Sequence, residues 1–372
     1  MTPGYRSDLH DTRVAAGLGV ALGVTFTICF VTGVLSHLIQ HPTSWFAWPA
    51  RPAGLYRFTQ GLHVATGTAS IPLLVAKLWV VAPRFWQRPP VRDVGHAVER
   101  ILLLPLVGGG SFLLVSGVLN TFKWYPWAFN FPVAHYWAAW IAIGGLVAHV
   151  GAKAAITWSS LRGREVEGEL AGTAPAGERR RFLAGVGLGA GALTLATVGQ
   201  TVRPLHRASV LAPRDPTVGP QGIPVNRTAA AARITPEKVA GWTLRVTGRV
   251  AEEVELTLDE VRALPQHEAT LPIACVEGWS ASARWRGVRL ADVVALAGGD
   301  ERRPVRVHSM QRRSVYSSSI VATDLVADRD TLLALEVNGE PLAPDHGAPC
   351  RLIAPNRPGV LQTKWIERVE VI

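Results

Sequence analysis

The chain has 372 residues, 48% of them apolar, with a mean hydropathy of +0.19 and a net charge of +10. That length exceeds one ordinary domain, and that hydropathy excludes a wholly soluble protein. The charge does not mark a nucleic-acid binder. Up to Arg181 there are 16 Lys and Arg against 8 Asp and Glu, and beyond it 22 against 20. The surplus therefore sits in the apolar half, where basic residues read as topology signals. Three cysteines, Cys29, Cys275 and Cys350, are too few for a disulfide framework or a cysteine-cluster zinc site.

Residues 14–50 contain no Asp, Glu, Lys or Arg, and 14–38 is longer than the roughly 20 apolar residues that cross a bilayer. Similar stretches occupy 62–82, 101–122, 133–152 and 182–202. The first follows a charged leader and is too long for a cleavable signal core. Five spans place the two ends of the chain on opposite sides of a cell membrane. Arg6, Arg13, Arg84, Arg88, Arg92, Arg100, Arg162, Arg164, Arg179, Arg180 and Arg181 cluster in the leader and alternate loops; the other loops hold only Arg51, Arg57 and Lys123. The positive-inside rule then puts the amino terminus in the cytoplasm and everything after Val202 outside.

Seven of eleven histidines precede residue 150. Ionisable groups in membrane spans are costly and usually functional. His135 and His149 are 14 residues apart on one expected helix, hence about 21 Å apart along its axis and within about 40° of one face. That spacing suits two axial ligands, one for a haem near each membrane surface, with His63 on the level of His135 and His10 on the level of His149. The pattern over residues 8–158 resembles the four-helix cytochrome b subunits of formate dehydrogenases and nickel-iron hydrogenases. The resemblance implies two b haems held by His63, His135, His10 and His149, passing electrons to or from membrane quinone. His37, His41 and His96 are further candidates at the two surfaces, and Cys29 reads as a core residue.

Residues 159–177 form a Gly-, Ala- and Glu-rich linker. Arg179-Arg180-Arg181-Phe182-Leu183, ahead of a moderately apolar helix, resembles an internal twin-arginine export signal, which carries folded, cofactor-loaded domains. Residues 203–221, with four Pro, read as a tether. Beyond it the chain changes to short β-type runs such as 242–248 and 302–308, interrupted by helix-like patches at 257–264 and 290–298.

Within this last part, Cys-Val-Glu-Gly-Trp-Ser at 275–280 is followed by Trp-Arg-Gly-Val-Arg-Leu at 285–290. Leu-Glu-Val-Asn-Gly-Glu-Pro-Leu starts at 335, Asp-His-Gly-Ala-Pro-Cys-Arg-Leu at 345, and Lys-Trp-Ile at 364. A lone thiol in such a loop suits a soft redox metal. These motifs, in this order, resemble the sulfite oxidase family of molybdenum enzymes over residues 222–372. The resemblance implies a molybdenum–molybdopterin cofactor with Cys275 as metal ligand and Tyr316 beside the reacting oxygen. It also implies pterin contacts from Asn226, His346, Arg351 and Lys364. Val225 stands where sulfite oxidases carry a substrate-binding Arg, a role Arg312 or Arg313 could take over. Cys350 reads as packing.

The expected architecture is therefore a membrane all-α bundle followed by a soluble α+β molybdopterin domain. Residues 1–158 form four helices, 159–202 the linker and a fifth tethering helix, 203–221 the tether and 222–372 the oxidoreductase domain. The expected activity is oxygen-atom transfer with a small substrate outside the cytoplasm, linked to quinone in the lipid bilayer. A rival reading keeps the b-type electron carrier and makes the outer domain a non-catalytic docking module.

Overall fold

The computed structural model describes residues 7–43, 45–87, 89–162, 170, 174–199, 202–312 and 314–372. Arg6, Arg88, Arg164, Arg313 and most of the 159–177 linker lie outside these. The chain forms two compact units. One contains Met1–Val34 and Leu62–Pro213; the other contains Leu35–Gly61 and Arg214–Ile372. A stretch of 27 residues near the amino terminus thus belongs with the carboxy-terminal unit.

Five long helices carry the apolar stretches: α1 (Thr12–Gln40), α2 (Leu55–Phe85), α3 (Val94–Thr121), α4 (Phe131–Leu161) and α5 (Ala176–Val198). All five are long and apolar enough to cross a membrane. Many apolar side chains on them, including Val24, Val31, Leu104, Ile141 and Leu188, point outward, as lipid-facing residues must. Polar caps start two of the helices: Asp93 accepts from the His96 amide at α3, and Asn130 accepts from the Val133 amide at α4. Small residues bring α3 and α4 together. A Cβ on Gly145 would sit 2.9 Å from the Leu106 amide nitrogen, and one on Gly109 would sit 3.2 Å from the Ala142 side chain. Their neighbours Gly108 and Gly144 face open space.

The carboxy-terminal part builds two five-stranded sheets. In chain order the strands are β1 (Thr243–Gly248), β2 (Val254–Thr257), β3 (His267–Ala274), β4 (Ser280–Arg289) and β5 (Val305–Ser309). They continue with β6 (Ser318–Val321), β7 (Leu332–Val337), β8 (Glu340–Pro341), β9 (Arg351–Ile353) and β10 (Ile366–Val371). One sheet runs β2-β1-β10-β5-β6; the other runs β3-β4-β7-β8, with β9 also on β7. Among these ten strands, β1 and β10 pair in parallel and the other pairs are antiparallel.

Alternation along β1 and β5 buries Leu244, Val246, Val305 and Val307 on one face. The helix-like patch after β2 becomes the helix Leu258–Ala263, started by a capping box between Thr257 and Glu260. Three tryptophans bury their rings, and each indole N–H finds a carbonyl: Trp242 to Ile366, Trp285 to Leu271 and Trp365 to Pro344. Cys350 is fully buried in this core, where burial pushes its thiol pKa up, as expected of a packing residue. Residues 275–279, the first five of the Cys-Val-Glu-Gly-Trp-Ser motif, are the connection of a hairpin, because Ala274 at the end of β3 pairs with Ser280 at the start of β4.

The register of β4 on β7 shifts between Arg286 and Gly287. A Cβ at Gly287 would run into the Leu333 carbonyl oxygen, so the bulge requires glycine. Gly287→Ala should destabilise the carboxy-terminal unit by about 1–3 kcal/mol, seen as a lower midpoint in denaturant unfolding followed by tryptophan fluorescence.

Candidate active site and candidate haem ligands

One pocket in the carboxy-terminal unit is lined by Asn226, Cys275, Tyr316, His346, Arg351 and Lys364. These are all six residues that the sequence motifs single out, drawn from five separate segments. Cys275 is 1% exposed, at the base of the β3–β4 connection; its amide donates to the Trp279 carbonyl at 2.9 Å. Gly278, with φ of +95°, makes the turn that returns the chain to β4.

The cations are held by carbonyls. Arg351 opens β9 and is buried; it donates to the His346 carbonyl at 3.0 Å and the Gln362 carbonyl at 3.4 Å, with its guanidinium 4.9 Å from the Trp285 ring centre. Its Nε is buried without a hydrogen-bond partner. Burial lowers its pKa to about 9. Lys364 donates to the carbonyls of Arg227 (2.5 Å) and Asp345 (2.9 Å). Gly347, with φ of +107°, lets the chain pass close to Lys364: a Cβ there would lie 2.9 Å from the Lys364 Cβ.

His346 donates through Nε2 to the Pro220 carbonyl at 2.7 Å, which fixes its tautomer. Burial, only partly offset by that bond, holds its pKa below 6.5, so the ring is neutral near pH 7. Tyr316 lies in the β5–β6 connection, and burial, aided by the nearby Cys275, raises its pKa; its hydroxyl keeps its proton and can donate.

These residues fit an anionic, metal-bearing pterin. A buried guanidinium with an unpaired Nε and no acidic partner among the described residues is suited to an anion entering the pocket. The buried thiol offers the soft ligand. The lining also includes Trp279, which lies inside the 275–280 motif, Arg227 and Thr363, which adjoin Asn226 and Lys364, and Ser309 and Gln311, for which the sequence carries no signal. Val225 lines the pocket too, whereas Arg312 pairs with Glu367 at 2.6 Å.

In the other unit the imidazoles of His63 and His135 face each other, with ring centres 6.4 Å apart. His63 Nδ1 hydrogen-bonds the Cys29 carbonyl at 2.8 Å, and His135 Nδ1 lies 3.2 Å from the Ser116 hydroxyl. Each ring thus has a partner that orients it. Gly33 and Gly117 leave room beside these rings: Cβ atoms there would lie 3.1 Å from His63 and 3.8 Å from His135. Cys29 is half-buried against His63 rather than in a purely apolar core. His10 is buried, hydrogen-bonds the Val80 carbonyl at 2.9 Å and packs on Trp79. No contact joins His10 to His149 among the described residues; the charged neighbours of His149 are Lys77, Lys153 and Glu99. His37 stacks on His41, and His96 hydrogen-bonds Gln87.

Comparison with known proteins identifies the family of the carboxy-terminal part. The model of the family described as "Oxidoreductase molybdopterin binding domain" matches residues 231–372. The uncharacterized oxidoreductase YuiH of Bacillus subtilis is 33% identical over 136 residues, covering 36% of this chain and 67% of that protein. Rat mitochondrial sulfite oxidase is 32% identical over 158 residues, 35% of this chain and 29% of the enzyme. YedZ1 of Azospira oryzae, provisionally named a protein-methionine-sulfoxide reductase subunit, is 34% identical over 133 residues, 36% of this chain and 49% of that protein. The chain belongs to the sulfite oxidase family of molybdopterin-binding oxidoreductases and is itself an oxidoreductase of that family. It spans two thirds of the first of these relatives and less than half of the other two.

The neutral His346 gives a pH dependence. Its folded pKa lies below the ordinary 6.5, so just under that value the unfolded chain takes up a proton that the folded domain refuses. Its contribution to stability is full above pH 6.5 and is lost as the pH falls toward the folded value. His346→Gln should therefore lose less thermal stability than the wild type between about pH 7.5 and about pH 5.5, measured by tryptophan fluorescence in detergent.

Proposed function

We propose that the chain is a membrane-bound molybdenum oxidoreductase whose carboxy-terminal domain transfers an oxygen atom to or from a small substrate. Its electrons are exchanged with membrane quinone through b haems. The observation that carries the reading is the convergence of Cys275, Tyr316 and the cations Arg351 and Lys364 on one pocket. When bound, the molybdenum–molybdopterin group supplies two-electron oxygen-atom chemistry, and the protein supplies binding and positioning.

Cys275 offers its thiolate to the metal. Arg351 and Lys364 would hold the anionic part of the pterin, and Asn226 and the neutral His346 would offer it further polar contacts. Tyr316 would offer a hydroxyl proton to the oxygen being transferred; its raised pKa keeps that proton in place near neutrality. Val225 gives the pocket an apolar group where the family resemblance expects a sulfite-binding Arg, so sulfite is not the substrate proposed.

For the membrane part, the facing rings of His63 and His135 support one bis-histidine haem, a geometry that leaves no open iron position and suits electron transfer. A second haem on His10 and His149 rests on sequence spacing. The distribution of Arg supports a cytoplasmic amino terminus and an outer oxidoreductase domain, with Arg179, Arg180 and Arg181 guiding export of the loaded domain.

Two outcomes test this reading. Cys275→Ser should abolish turnover of the purified full-length protein, because a hard hydroxyl replaces a soft thiolate; full activity in that variant, measured with a reduced-dye electron donor, contradicts the assignment. His63→Ala and His135→Ala should each remove the same haem and about half of the reduced b-type absorbance, while His149→Ala removes the other. Unchanged spectra in the first two variants contradict the cytochrome reading.

A further inference from the structure

The loop that carries Cys275 is short, and it is gripped by residues that lie outside the matched oxidoreductase region, residues 231–372. Gln60, in the first turns of α2, donates from Nε2 to the Val276 carbonyl at 3.4 Å. Tyr56, one helical turn earlier and 1% exposed, packs with Ile39 against Ala274, the residue before the thiol. From the other direction Arg214 lies 3.4 Å from the buried carboxylate of Glu277, which also accepts from the Trp279 indole at 3.1 Å. The same guanidinium donates to the Val225 carbonyl at 3.1 Å, so it joins the Cys275 loop to a second segment that lines the pocket.

Asn356 fixes the segment that brings Gln60 in. Its amide donates to the Ala53 carbonyl at 3.1 Å, and its carbonyl accepts from the Trp48 indole at 3.1 Å. Its side-chain Nδ2 donates to the Pro49 carbonyl, and its Oδ1 accepts from the Tyr56 amide, both at 2.5 Å. All four polar groups of one residue are thus spent on residues 48–56. Arg51 adds a forked pair of hydrogen bonds to Asp328, both 3.0 Å, and a third to Asp330. Two residues past Asn356, Pro358 bridges to Ala274, so the clamp ends on the strand that presents the thiol.

We propose that Gln60 and Arg214 are positioning residues for the Cys275 ligand loop, one supplied by the start of α2 and the other by the tether. This rests on the molybdenum reading of Cys275. The two residues act through the backbone of Val276 and the carboxylate of Glu277, and they hold the thiol closed against solvent until the cofactor takes it. The first turns of α2, anchored through residues 48–56, are then a working part of the oxidoreductase site.

The test uses full-length protein in detergent, cofactor-free and cofactor-loaded, as wild type, Gln60→Leu, Arg214→Met and Arg214→Lys. In the cofactor-free chain, alkylation of Cys275 by iodoacetamide, followed by mass spectrometry, reads how often the loop opens. Loss of either anchor should speed it about tenfold, and Arg214→Lys, which keeps a charge opposite Glu277, should recover part of the protection. Cys350, fully buried in the core, should stay unreactive throughout. In the loaded protein both non-conservative variants should shift the electron paramagnetic resonance signal of molybdenum(V).

Unchanged Cys275 alkylation together with an unchanged resonance signal overturns the proposal. So does faster alkylation at Cys350 as well, which marks loss of the domain and not release of the loop. A wild type that takes up no molybdenum contradicts the proposed function instead, and the alkylation rates still decide whether the two anchors hold the loop.

Discussion

A guanidinium buried without a carboxylate is the constraint from which the candidate active site follows. Arg351 is 4% exposed, lies on a tryptophan ring and donates to two backbone carbonyls, with its Nε left without a partner. Burying a charge without a full set of partners is expensive. The cost is tolerable where an anion completes the set, and the orphaned N–H lies in the residue that lines the Cys275 pocket. Nearby, Lys364 and His346 are likewise tied to carbonyls, so the protein's own backbone fixes these side chains in the pocket wall. The two sheets make this possible, because β9 and the segment before β10 deliver Arg351 and Lys364 to the place where the β3–β4 hairpin delivers Cys275.

Much of this was legible in the sequence for identifiable reasons. Apolar runs of span length, broken by charged loops, announce helices because nothing else satisfies the backbone in lipid; all five emerge, each within several residues of its expected limits. The six pocket residues sit in local motifs, so their types and order alone point to them. The short helix Leu258–Ala263 follows from its capping box, and Leu290–Leu296, which has no side-chain cap, from its apolar periodicity. Only the structure tells Gly109 and Gly145, which touch the neighbouring helix, from Gly108 and Gly144, which do not.

What escaped the sequence is long-range. Asn356 and Trp48 are 308 positions apart, and neither lies in a periodic pattern or a motif. Arg51 was counted as a sparse loop charge, whereas it pairs with two aspartates in the carboxy-terminal unit. Arg214 sits in a stretch that reads as a tether, yet it grips Glu277 inside the metal-ligand motif. Helical spacing brings His135 into register with His63, while it cannot show that His10 turns to the Val80 carbonyl and Trp79. A linear pattern reports which face a residue takes on its own element; which distant element meets that face depends on the packing.

The central claim is that the Cys275 sulfur binds molybdenum in this pocket. X-ray absorption at the molybdenum edge, on full-length protein and on Cys275→Ala loaded in the same way, tests it most directly. The account predicts one sulfur neighbour fewer in the variant, with the remaining sulfur shell retained. The same sulfur shell in both proteins, or molybdenum absent from the wild type, would contradict it.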